Sequence, residues 1–107
     1  KLVIAPSGAE AWAPPRARID NTMVKALARA HRWKRMLESG DVGSLHHLAR
    51  TERINPSYAS RILRLTLLAP DIVEAIVDGR QPAGLQLEDL LVLFPLEWER
   101  QRVAFLT

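Results

Sequence analysis

Ser57, Ser60, Arg61 and Arg64 stand at i, i+3, i+4 and i+7, a spacing that places four polar side chains on one face of a helix. Ala59, Ile62 and Leu63 fall on the opposite side and are the expected inner face. A guanidinium fork fits the O6 and N7 acceptors on the major-groove edge of guanine, and serine hydroxyls donate to bases or phosphates. Asn55 and Pro56 lie at the N-terminal end of this segment and would meet a groove first. Tyr58 has two readings, a hydroxyl donated to a phosphate or a ring packed on the first helix. Arg50 and Arg53 flank the segment and are placed to clamp a phosphate backbone. The plain alternative is a solvated amphipathic helix carrying ordinary surface arginines.

Other residue groups offer less chemistry. His46 and His47 are adjacent, so on a helix they point about 100° apart, and no cysteine or acidic cluster completes a metal shell. No metal site and no cofactor is expected. His31 reads as solvated or as a weak phosphate contact. Ser44, Ser57 and Ser60 lack an evident His–Asp arrangement, and Glu88-Asp89 reads as a helix-capping acid pair before a general acid and base. There is no glycine-rich phosphate loop. No catalytic residue is expected in this chain.

The elements that must hold these residues are helical. Pro6, Pro14 and Pro15 interrupt residues 1–19, which read as an extended arm or linker, with Lys1–Ala5 as a remnant strand. Asp20 or Asn21 caps a helix over 22–39, whose stripe is Met23, Leu27, Ala30, Trp33 and Leu37. Lys25, Arg29, Arg32 and Arg35 lie on its other side, and Lys34 must snorkel from near the stripe. Gly40 ends that helix, and Asp41-Val42-Gly43 turns the chain. Ser44 caps a short helix to about Glu52, with Leu45, Leu48 and Ala49 inward. Arg53-Ile54 is a tight connection, Asn55 a cap and Pro56 the first residue of a helix reaching about Leu68. A further helix starts at Pro70, with Ile72, Val73, Ile76 and Val77 as its apolar face, and Gly79 ends it. Residues 87–94 and 96–106 read as two last helices parted by Pro95. Trp33 and Trp98 are expected core anchors, while Trp12 in the arm is open between partner contact and loose packing. The expected architecture is all-α: an arm at 1–19, then a five- to six-helix bundle over 20–107 containing a helix-turn-helix at 44–68.

Composition sets the bounds. With 107 residues, 48% of them hydrophobic, the chain suits one domain and not two sizeable cores. It contains no cysteine, which excludes disulfides and thiolate-bound zinc and points to a reducing cytoplasm. No apolar run approaches the roughly 18–20 residues of a membrane helix, and the opening Lys-Leu-Val-Ile is too short for a signal-peptide core. The chain opens on Lys1 instead of methionine, which reads as a processed product, a trimmed chain or a piece of a longer protein. Net charge is +3, but residues 16–68 hold eleven arginines and lysines against four acids, whereas residues 69–107 hold three against seven. A basic half joined to an acidic half fits one polyanion-facing region and one that faces something else.

Two resemblances follow from these motifs. Leu48-Ala49, the Ser57-Tyr58-x-Ser60 segment, Leu63-Arg64-Leu65 and the 70–79 helix ending in Asp78-Gly79 resemble the helix-turn-helix region of the ParB/KorB partition-protein family. The resemblance implies that the second helix enters the major groove, with Ser57, Ser60, Arg61 and Arg64 facing it, on a supporting bundle. The chain departs from that family in lacking its N-terminal nucleotide-binding region, so clamp formation and segregation do not carry over. It also has Arg53 where many such turns have glycine, which implies a wider turn or an unusual backbone angle at Arg53. Over nearly its whole length the chain is similar to the C-terminal tail of bacterial large serine site-specific recombinases. That likeness rests on the Lys-Leu-Val-Ile opening, Val-Lys-Ala-Leu-Ala-Arg-Ala-His-Arg-Trp at 24–33, Leu-Ala-Pro-Asp-Ile-Val-Glu-Ala-Ile at 68–76 and Pro-Leu-Glu-Trp at 95–98. It implies a module that positions a recombinase on its site, with the catalytic serine domain outside this chain.

The expectation is therefore sequence-selective binding of double-stranded DNA by a nucleoid-associated protein without a membrane partner. Its site is Asn55, Ser57, Tyr58, Ser60, Arg61, Arg64, Arg50 and Arg53. The rivals are a stand-alone transcriptional or partition-type regulator, and an interaction module in which the acidic helices over 70–106 bind a partner and the helix-turn-helix is only architectural; Leu90, Leu91, Leu93, Phe94, Trp98 and Phe105 could supply a homodimer surface, though most of them must build the core. RNA binding is weaker, since no aromatic-lined sheet is legible.

Overall fold

In a computed structural model of the protein, residues 18–106 are described; the expected arm over 1–17, with Trp12 and the Lys1–Ala5 strand, lies outside them. The described residues form helices and no strand: α1 (Asn21–Ser39), α2 (Leu45–Glu52), α3 (Pro56–Leu63), a 3₁₀ turn (Arg64–Leu67), α4 (Pro70–Val77), α5 (Leu87–Leu91) and α6 (Trp98–Leu106). None of these helices is long and apolar enough to cross a membrane.

The long helix α1 is the central post. Asp20 starts it by accepting hydrogen bonds at Oδ1 from the backbone N–H groups of Thr22 and Met23, at 3.0 and 3.2 Å. Its buried stripe is Met23, Ala26, Leu27, Ala30 and Trp33, with Leu37 packed at the edge. Against that stripe sit α3, the 3₁₀ turn, α4, α2 and α5. Alanines at 26 and 30 keep the surface of α1 low, so neighbouring helices approach closely. Gly40 takes the left-handed conformation (φ 85°) that ends α1.

Helix α2 begins with a reciprocal cap. The Ser44 hydroxyl accepts from the His47 N–H at 3.1 Å, and His47 Nδ1 accepts from the Gly43 N–H at 3.0 Å. A histidine thus reaches back toward the cap as Glu does in a capping box. The helix ends in a Schellman turn: the Arg53 N–H donates to the Arg50 carbonyl at 3.3 Å and the Ile54 N–H to the Ala49 carbonyl at 3.0 Å. Arg53 occupies the left-handed position of that turn, with φ 59°. Ile54 is half-buried against the core, and Leu48 and Ala49 are fully buried.

After α3 the helix tightens earlier than its pattern predicts. The expected helix to Leu68 ends at Leu63, and a 3₁₀ turn carries Arg64–Leu67. A three-residue repeat puts Leu65 and Leu68 on one side, and both are buried. Ala69 is then extended, as a residue before proline prefers, and Pro70 opens α4. Gln101 of α6 closes this junction although it is polar and wholly buried. Its Oε1 accepts from the Ala69 N–H at 2.7 Å, and its Nε2 donates to the carbonyls of Leu67 and Pro95 at 3.1 and 2.9 Å.

At the end of α4, Gly79 has φ 73°, and a Cβ there would lie 2.8 Å from the Arg18 backbone. The Arg18 N–H donates to the Gly79 carbonyl at 2.9 Å, so the start of the described chain is stitched to the end of α4. Three C-terminal expectations need correcting. The helix over 87–94 stops at Leu91, with Val92 extended, and the helix over 96–106 starts at Trp98. Trp98 is half exposed instead of anchoring the core; Phe94 and Phe105 fill that space, edge to face with centroids 5.8 Å apart. Val77, expected on the apolar face of α4, is exposed at 48%, and Ala75 is buried in its stead.

Candidate nucleic-acid interface

Asn55 sets the start of α3: its Oδ1 accepts from the Ser57 N–H at 2.7 Å, and Pro56 follows at the first helical position. Ala59 and Ile62 are completely buried, which fixes the rotation of α3 about its axis. The opposite side carries Ser57 and Arg61, both exposed, with Ser60 half-buried between them. Arg50 and Arg53 are exposed around the turn that precedes α3. Among the described residues, Arg50, Arg53 and Arg61 have no ion-pair partner within 4 Å. Three guanidiniums therefore face water from two adjacent elements.

Two members of the expected set behave differently. Arg64 is half-buried; its Nη2 donates to the Phe94 carbonyl at 3.2 Å, and its guanidinium lies 4.9 Å from the centre of the Phe94 ring. It reaches the α5–α6 connection from the 3₁₀ turn, helix α3 having already ended at Leu63. Tyr58 is half-buried and packed against the core, in keeping with the packing alternative for its ring.

The basic side of α1 lies away from its buried stripe. Lys25, Arg32 and Arg35 project from the side opposite the stripe on which α3 rests. Arg32 is paired with Glu52 of α2 at 3.2 Å, and the Arg29 guanidinium lies 5.9 Å from the Trp33 ring centre. Lys34 is exposed, as snorkelling requires.

A cleft of about 470 Å³ opens beside α3, lined by Arg61, Glu88, Leu91, Val92 and Leu93. The sequence pattern missed it, because residues 87–94 read as one continuous helix. Only the extended backbone at Val92 turns that residue and Leu93 outward.

Elsewhere polar groups serve the fold. Asp89 Oδ2 accepts from the Gln86 N–H at 2.9 Å, the capping role expected of the Glu88-Asp89 pair. Asp71 accepts from Arg102 Nε at 2.7 Å, tying α4 to α6. That hydrogen bond, more than the attraction of the charge, holds the Asp71 carboxyl below its ordinary value and pushes the Arg102 guanidinium up. Among the described residues no group of three or more His, Asp or Glu is placed to hold a metal ion. Comparison with protein-family models, with curated proteins and with solved structures finds no match to this chain.

Proposed function

We propose that α2 and α3 act as a helix-turn-helix that binds double-stranded DNA sequence-selectively, with α3 lying in the major groove. The observation that carries this reading is the orientation of α3, with Ala59 and Ile62 fully buried while Ser57 and Arg61 stand in water on the other side. Arg61 is the base reader, Ser57 and Ser60 are short-range donors, and Arg50 and Arg53 hold phosphates on either side of the turn. Asn55, already spending its side-chain oxygen on the α3 cap, supports the groove end of the helix. Arg53 adds weight: a non-glycine residue in the left-handed slot carries a conformational cost that a solvated arginine has no structural need to bear. Arg64 is assigned to positioning, since it braces α3 against the Phe94 segment.

By its likeness to the tails of large serine recombinases, the chain is proposed to be the DNA-positioning module of a site-specific recombinase, whose catalytic domain is a separate part of the polypeptide. A second reading, self-association through the C-terminal helices, draws on the exposure of Leu96 and Trp98. Sedimentation with and without DNA separates the two: a dimer that ignores duplexes at low salt favours the second.

The direct test is Arg61→Ala on duplexes selected from a random pool. Loss of one bidentate arginine–guanine contact should cut discrimination at one position by roughly 1–3 kcal/mol. Unchanged base preference and unchanged salt dependence would remove α3 from the groove.

A further inference from the structure

We propose that Leu93 is a thymine reader, packing on C5-methyl groups in the same major groove that α3 enters. The inference rests on the reading of α3 as the groove helix and adds a second element, with an apolar kind of contact. Leu93 is exposed at 84%, more than any other exposed large apolar side chain among the described residues. It is not on a loose loop end. Leu91, two residues before it, is half-buried, with the exposed Val92 between them, and the following Phe94 is buried, set edge-on against Phe105 and held by Arg64 through both its carbonyl and its ring. The backbone is thus fixed on both sides of a leucine that does no packing of its own.

Position decides what the leucine meets. Arg61 and Leu93 line one cleft, so a duplex lying along α3 presents a single groove to both. On a major-groove edge the thymine methyl is the apolar group that base pairs offer. Glu88, on the same cleft, is acceptor-only and repels phosphate, but it suits the N4 amine of cytosine. A cleft with one guanidinium, one carboxylate and a leucine matches base edges better than it matches a phosphate backbone.

The experiment uses the whole chain and duplexes selected from a random pool, with each thymine replaced in turn by deoxyuridine, which removes only the methyl. For the wild type, replacement at one or two thymines near the Arg61-dependent guanine should weaken binding about fourfold, the worth of one buried methyl group. Leu93→Ala, at an exposed site, should bind thymine and uracil forms alike while keeping the guanine preference. A wild type that binds its selected duplexes yet ignores every replacement overturns the inference and leaves the role of α3 standing. So does a Leu93→Ala variant with the wild-type thymine-to-uracil ratio, including one whose only defect is in self-association. Failure of the wild type to bind any duplex at low salt overturns both.

Discussion

Arg61 and Arg64 are one helical turn apart with the same chemistry, and the tertiary structure gives them different work. Arg61 touches water, so Arg61→Ala should leave thermal stability within about 0.5 kcal/mol of wild type while binding suffers. Arg64 donates to a carbonyl and covers an aromatic ring, so Arg64→Ala should cost about 1–2 kcal/mol in urea denaturation. The reverse pattern would exchange their roles. Arg53 offers a cleaner separation of folding from binding. Glycine suits φ 59° without the roughly 1–2 kcal/mol penalty of a left-handed L-residue, partly offset by the greater freedom of glycine in the unfolded chain. Arg53→Gly should therefore match or exceed the wild-type melting temperature and bind duplex DNA more weakly. A melting temperature several degrees lower would mean that the arginine side chain serves the fold.

At the scale of elements, α6 is the clasp that holds the exit of α3. Gln101 satisfies three backbone groups where a helix, a 3₁₀ turn and a proline-led helix meet and could not bond one another. Gln101→Leu is close in volume but leaves the Ala69 N–H buried without a partner, at a cost of about 1–3 kcal/mol for that group alone. The expected result is a lower urea midpoint with an unchanged slope; an equally stable variant would show that water replaces the amide. The Arg102–Asp71 pair stitches the same two helices from outside. Asp71 has its folded pKa lowered from the ordinary 3.8, so more protons bind to the unfolded state in that window. Its contribution is present above about pH 4 and is lost as pH falls through the folded value. Asp71→Asn should flatten the acid limb of the stability profile, and a limb as steep as wild type would assign the loss to other carboxylates.

The whole molecule divides its charge as the chain does, basic through α3 and acidic after it. Pairing leaves that division unchanged but lowers the number of unengaged arginines in the basic part, because Arg32 is paired with Glu52 and Arg64 is committed to Phe94. With about three to five phosphates neutralised, the affinity for duplex DNA should fall with salt along a log–log slope between about −2.7 and −4.5. A slope near zero would show that the exposed arginines do not touch phosphate.

Helix starts and the central stripe were legible in the residues themselves. Asp20, Ser44 and Asn55 cap by bonds two or three residues away, and Met23, Leu27, Ala30 and Trp33 repeat with the helical period, so short-range geometry settles both. The orientation of α3 followed in the same way, because burying Ala59 and Ile62 forces Ser57 and Arg61 outward. Three features depended on contacts across 30 or more residues and could not be read locally: Arg64 turned toward Phe94, Gln101 buried among carbonyls, and Asp71 held by Arg102. The exposure of Leu93 and Trp98 belongs with them. An apolar run shows which residues can be buried, but the space left by Phe94 and Phe105 decides which of them are.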